Sequence, residues 1–317
     1  MEKKTKKIIL GAIITIILSY FLLNQINIKD IKILIDNISI NYIILGLGLY
    51  TFSNILRALR LKLMLKEITV KRLIPIVFLH NMFNQLLPAK IGEISFLYLT
   101  KKEKNSKLED NLSSLVIVRI FDFIIMLLMF LTSIFLLKDL PSIFYNLFWI
   151  VLVILLVSVT SIFILKKLDD LFPNVLIRLL NKLMPNKHKE KASIFLKSFL
   201  FSLKNTINRK NFIQVLTITI TIWIMAYMAV YSILLSIGID IGLAKVIIGS
   251  TFLVITTLLP IQGLAGLGSA EGFWTLGYVL LGVSKDIAII SGFTVHLTQI
   301  IYFLILGAIG YLLRRFI

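Results

Sequence analysis

Cysteine is absent from the 317-residue sequence, which excludes disulfides, thioether haem attachment and thiolate metal sites. Histidine occurs only three times, too few for a dedicated zinc site without cysteine. No metal and no cofactor is therefore expected. Charge is also scarce. Asp, Glu, Lys and Arg make up 16% of the chain against 58% hydrophobic residues, and the mean hydropathy is +0.94. Soluble domains carry about 25% charged residues, so a soluble globular domain and a disordered chain are both excluded. The sequence has no Asp-rich diphosphate motif, no His-Glu-x-x-His, no Gly-x-Ser-x-Gly and no phosphate loop. It reads as one membrane domain over residues 1–317, without a recognisable enzyme constellation. Acidic residues are the scarcer sign, 16 against 34 Lys and Arg, leaving a net charge of +18. In a soluble protein that excess points to nucleic acid. In a membrane chain it reflects the positive-inside rule and attraction to anionic lipid, and no nucleic acid partner is expected.

What is present is a series of apolar runs. Six of them, Ile8–Leu23, Tyr42–Leu56, Leu112–Leu137, Ile143–Leu165, Phe212–Ser236 and Ile287–Leu313, approach or exceed the roughly 20 residues that cross a bilayer as a helix. Ile8–Leu23 follows four lysines and precedes no small-x-small cleavage site, so it reads as a retained anchor. Two regions are too short to span. Leu73–Leu86 is stopped by Pro88 and followed by Ile91–Thr100, and Lys245–Leu259 is stopped by Pro260 and followed by Glu271–Gly282. Each pair fits a re-entrant helical hairpin, with its non-helical tip buried in protein or lining a cavity. The predicted fold is all-α and polytopic, with six spans and two oppositely oriented hairpins resembling inverted repeats.

Charge sets the expected orientation. With the N-terminus inside, 27 of the 34 Lys and Arg fall in cytoplasmic segments and five outside, with Lys90 and Arg119 in the membrane. Both termini are then cytoplasmic in the cell membrane. Residues 166–210 form the longest polar stretch, and there Phe195, Phe199, Leu200 and Leu203 recur at helical spacing beside Lys197 and Lys204. This predicts a basic amphipathic segment on the anionic inner leaflet; a solvated linker helix is the alternative.

Ionisable residues inside apolar segments cost about 2.5–3.5 kcal/mol each on insertion scales and mark function. Lys90, Glu93, Arg119, Asp122 and Glu271 are such residues. Arg119 and Asp122 are spaced i,i+3, so they share a face and can pair with one another; Arg119 can equally offer its fork to a lipid phosphate or to Glu93. Glu93 and Glu271 each open a half-helix, where a carboxylate caps the N-terminus or holds a cationic headgroup or a proton. Arg57 and Arg60 share a face at the end of the second run, as inner-side anchors or as phosphate contacts. His80 and His296 are lone histidines in apolar runs and read as structural. The hairpin tips echo one another, with Asn84, Pro88 and Gly92 in the first and Pro260, Gly263, Gly266 and Gly268 in the second.

The stretches Asn84–Glu93, Arg119-Ile120-Phe121-Asp122 and Pro260–Glu271 resemble, in order and spacing, the motifs of the lysylphosphatidylglycerol synthase transmembrane-region family. Many members carry an arginine soon after the Gly-Glu pair, where this chain has Ser95 and Phe96. The resemblance implies a flippase-like fold. In fused synthases this region moves aminoacylated phosphatidylglycerol between leaflets while a soluble domain makes it, and the chain resembles a stand-alone member. The expected function is transbilayer movement of a phospholipid, aminoacyl-phospholipid or polyprenyl or glycolipid headgroup through a polar cavity, downhill or coupled to protons through a carboxylate. The headgroup-binding candidates are Glu93, Arg119, Asp122, Glu271, Lys90, Arg57 and Arg60. Two alternatives stand: a lipid-headgroup transferase using Glu93 and Asp122, and a scaffold that recruits a lipid or glycan synthase.

Overall fold

The computed structural model describes residues 38–87, 91–104, 106–137, 140–167, 186–206, 209–256 and 264–316. The expected anchor Ile8–Leu23, the tip residues Pro88, Lys90, Pro260 and Gly263, and residues 168–185 of the basic segment lie outside them. The described residues form ten α-helices and one 3-10 turn, with no strand among them. They are α1 (Ile40–Met64), α2 (Val70–Leu86), α3 (Ile91–Lys101), α4 (Leu108–Leu136), α5 (Ser142–Lys167), α6 (Asn186–Asn205), α7 (Arg209–Ser236), α8 (Leu243–Thr256), α9 (Ser269–Leu280) and α10 (Lys285–Phe316). The turn, Leu264–Gly266, precedes α9. A helix closes its backbone hydrogen bonds within one segment, the condition for lying in hydrocarbon.

Five described helices, α1, α4, α5, α7 and α10, are long and apolar enough to cross a membrane, and the chain is a multi-pass membrane protein. They coincide with five of the six predicted runs. Their outward surfaces are apolar, as on α5, where Trp149, Ile150 and Val157 are all more than half exposed.

α1 and α7 pack antiparallel along their length. The Ser39 amide donates to the Ser236 carbonyl at one end (2.8 Å), and Asn211 Nδ2 donates to the Leu63 carbonyl at the other (3.2 Å). α2 and α3 form a hairpin. His80 Nδ1 lies 2.8 Å from the Gly92 carbonyl oxygen, His80 meets the Phe96 ring, and Arg72 bonds Glu103 at the open end (2.9 Å). α8 and α9 form a second hairpin, with Tyr278 against Gly249 and its hydroxyl on the Val246 carbonyl (3.4 Å).

The four hairpin helices have 17, 11, 14 and 12 residues, each shorter than the about 20 a span requires. The first hairpin opens where α1 ends at Met64 and where Arg314 of α10 donates to the Leu99 carbonyl (3.1 Å). The second opens beside the Ser236 end of α7 and the Lys285 end of α10. Ser236 meets the opposite end of α1, so the hairpins open toward opposite ends of the bundle.

α6 docks on the start of α4. Ser202 Oγ donates to Asp110 Oδ1 (2.7 Å) and Ser113 Oγ to the Phe199 carbonyl (3.2 Å). Its opposite face exposes Ile194, Lys197, Phe201 and Lys204. Two apolar cores result. One joins α4, α5 and α7–α10 around Phe130, Ile233, Trp274 and Tyr278. The other, around Leu73, Ile76, Phe96 and Phe121, lies between α1, α2, α3 and α4.

Candidate functional site

α1 continues beyond Leu56, where the apolar run stops, because its arginines turn inward. Arg60 is 2% exposed. Its Nη1 donates to Asp122 Oδ1 (2.7 Å) and to Thr219 Oγ1 (2.9 Å), and its Nη2 donates to Asp122 Oδ2 (3.1 Å). This is a bidentate fork on a carboxylate, the geometry that suits guanidinium. Trp223 Nε1 also donates to Asp122 Oδ1 (3.1 Å). Arg57, one turn earlier on the same face, holds Nη1 4.0 Å from Asp122 Oδ2, beyond hydrogen-bond reach.

Arg119 does not pair with Asp122 one turn away. It pairs with Glu93 of α3. The i,i+3 pairing open to the sequence is thus replaced by two interhelical pairs, because α4 lies between α1 on one side and α3 on the other. The Arg119 side chain is 45% exposed and that of Glu93 is 24% exposed. Beside them on α3, Ile94 and Tyr98 face outward. This pair therefore stands at the bundle surface between α3 and α4, while Arg60 and Asp122 lie inside.

These groups enclose a cavity of about 40 Å³ lined by Arg57, Arg60, His80, Asn81, Arg119 and Asp122 among others. That is room for a few waters, not for a lipid headgroup. Three buried polar atoms near it have no hydrogen-bond partner among the described residues: Arg60 Nε, Glu93 Oε2 and Asn84 Oδ1. Unpaired buried groups of this kind call for water or a ligand. At the positions after Gly-Glu, Ser95 Oγ bonds the Gly92 carbonyl (2.5 Å) and Phe96 fills the hairpin interior at 1% exposure. The cavity's arginines come from α1 and α4.

Glu271 belongs to a different cluster. It is fully buried. Its Oε2 accepts the Gly268 amide (2.7 Å), capping α9, and its Oε1 lies 2.7 Å from His296 Nδ1 on α10. Gly266 and Gly268 take positive φ of 76° and 80°, a conformation glycine adopts freely; this turns the chain so that Glu271 points back to its own cap. His296 Nε2 faces Gln85 Nε2 of α2 at 3.3 Å. The structure thus gathers Arg57, Arg60, Glu93, Arg119 and Asp122 together and places Glu271 with His296.

Sequence reasoning passed over Thr219, Trp223, Asn54 and Asn81, which brace this site; Asn81 bonds Asn54 across α2 and α1. The available signal was a polar side chain recurring at i,i+4 within an apolar run, as Thr219 and Trp223 do.

The family model described as Lysylphosphatidylglycerol synthase TM region matches residues 8–307. The chain belongs to this family. Membership in the Lysylphosphatidylglycerol synthase TM region family carries a membrane lipid-related function. No curated protein and no solved structure matches the chain. Within that family assignment the described residues of the Asn84–Glu93 motif end α2 and begin α3, Arg119 and Asp122 lie in the middle of α4, and Gly266–Glu271 lead from the turn into α9.

Proposed function

We propose that the protein moves lipid headgroups across the cell membrane and holds them by their phosphate at Arg57, Arg60 and Arg119. One observation carries this reading. Among the described residues, three guanidiniums lining one small cavity meet two carboxylates, Asp122 in its wall and Glu93 paired with Arg119. The surplus positive charge matches one phosphodiester or polyprenyl phosphate, and Arg60 Nε supplies an unused donor. Burying an unbalanced charge is costly, so the cluster is arranged for an anion that comes and goes.

In this reading the two hairpins are re-entrant, both termini are cytoplasmic, and the headgroup enters between α3 and α4 while its chains stay in lipid. A phosphate that competes for Arg119 releases Glu93 and frees α3 to move, opening a cavity that is too small as it stands. The outward face of α6, with Lys197 and Lys204, rests on anionic inner-leaflet lipid. Both carboxylates are engaged by arginine, which favours binding over the acid–base work of a headgroup transferase.

Purified protein in vesicles containing fluorescent anionic phospholipid or polyprenyl phosphate tests this. Wild type is expected to equilibrate the labelled lipid between leaflets. Arg119→Gln removes a charge-assisted contact worth about 1.5–3 kcal/mol, so the rate falls roughly ten- to a hundredfold. Arg119→Lys keeps the charge and loses the fork, and falls in between. Arg119 is exposed enough for both variants to fold, and their melting temperatures check this. Wild-type rates in folded Arg119→Gln overturn the reading, as does a new covalent lipid product found by mass spectrometry.

A further inference from the structure

The Glu271–His296 pair lies outside the phosphate cluster and is used by none of its chemistry. Glu271 is fully buried and His296 is 6% exposed. The carboxylate already accepts the Gly268 amide and faces His296 Nδ1. A carboxylate has only acceptors to offer, so Nδ1 carries a hydrogen and donates. In the neutral ring Nε2 is then an acceptor, and it faces the Gln85 amide nitrogen, a donor, at 3.3 Å. That contact joins α2 of the first hairpin to the cap of α9 in the second, through α10.

We propose that Glu271 and His296 form a proton-binding dyad whose protonation reverses the polarity of the contact between the two hairpins. A proton taken from hydronium adds to the Nε2 lone pair, leaving water and an imidazolium; no other bond breaks. The buried pair changes from net −1 to a neutral ion pair, so uptake relieves a buried negative charge. Nε2–H now points a donor at the Gln85 amide N–H. Two donors repel, and the Gln85 amide must rotate its oxygen inward or withdraw. The first hairpin tip therefore senses the dyad's proton without touching Glu271.

Among the described residues, the groups facing the dyad are otherwise uncharged. α2 contributes Gln85, and the turn contributes the Gly266 backbone. Glu271 is the one charged residue of α9. α7 carries no charge between Asn211 and Ser236, and its Tyr227 and Tyr231 are engaged by Thr251 and Asp240. α1 meets α10 further along, where Tyr302 donates to the Ile43 carbonyl (2.6 Å). Coupling of this proton to lipid movement rests on the transport reading above; proton binding itself does not.

The test keeps the two apart. The full chain, labelled with ¹⁵N-histidine and held in lipid nanodiscs, is titrated by NMR between about pH 4.5 and pH 8.5, the range in which histidine switches. The sequence has three histidines, and His296→Gln identifies the resonance. A pH-dependent His296 resonance is expected, and Glu271→Gln and Gln85→Glu, which sets a carboxylate against Nε2, should displace its midpoint in opposite directions. A His296 signal that does not titrate overturns the dyad, as does a midpoint indifferent to Glu271→Gln. A midpoint indifferent to Gln85→Glu overturns the link between hairpins.

In vesicles, an imposed pH gradient is expected to accelerate wild-type lipid movement severalfold and to leave Gln85→Leu without that acceleration. Equal gradient dependence in the two overturns the coupling. A wild-type protein that moves no lipid at all overturns the transport reading, and the titration then decides the dyad alone.

Discussion

Replacing Asp122 with alanine is expected to cost about 3–5 kcal/mol of stability, the range for breaking a buried ion pair by removing one partner. Asp122 accepts two bonds from Arg60 and one from Trp223 Nε1. Without it, Arg60 keeps its charge at 2% exposure with only Thr219 beside it. Asp122→Asn retains one carbonyl acceptor and should lose less. The double variant Arg60→Met/Asp122→Leu removes both charges and should recover most of the loss, since apolar replacement of a whole buried pair is often neutral. Thermal unfolding in a single detergent, read as melting temperature, separates the three. If Asp122→Ala melted with wild type, the pair would not be holding α1 against α4. The double variant gives a second reading: a stable fold without transport separates the cluster's part in binding from its part in folding.

The second large effect falls at Gly92. An added Cβ there would overlap the backbone of Asn84 across the first hairpin. Backbone cannot yield as the end of a side chain does, so Gly92→Ala must splay α2 from α3. The cost belongs at the upper end of the about 1–3 kcal/mol typical of overpacking. Splaying also breaks the His80 contact with the Gly92 carbonyl and moves Glu93, the next residue, away from Arg119. Lowered melting temperature and lost lipid movement should therefore appear together. Gly48 is the control. It is exposed on α1 with nothing within 4 Å of an added Cβ, and alanine there should be neutral or stabilising by up to about 1 kcal/mol. Equal behaviour of the two variants would show that Asn84 and Gly92 are not closely packed in the folded protein.

Much of the architecture was legible in the sequence. Five long apolar runs became α1, α4, α5, α7 and α10 with ends displaced by a few residues. The largest displacement is at α1, where the run stops at Leu56 and the helix ends at Met64. Arginine is a good helix former, so the helix continues wherever a partner waits, and here that partner lies 62 residues further along the chain. The pairing of the two short regions into hairpins was legible too, because each holds two apolar stretches too short to span, separated by Pro88 or by Pro260 and a cluster of glycines; proline alone was not the signal, since Pro75 lies inside α2.

The partners of the charges were not legible. Arg119 and Asp122 share a helical face three residues apart, yet Arg119 turns to Glu93 and Asp122 to Arg60. Glu93 and Glu271 look equivalent at the two hairpin tips, yet one pairs with Arg119 near the bundle surface and the other is a fully buried cap of α9 that also faces His296.

The sequence alone determined a helical membrane protein with two broken hairpins and an excess of positive charge, because hydrocarbon thickness and helix-breaking residues act over short stretches of chain. Only the tertiary structure decided which carboxylate meets which cation. Those energies depend on distance and burial between helices far apart in sequence, and no local pattern encodes how α4 comes to lie between α1 and α3.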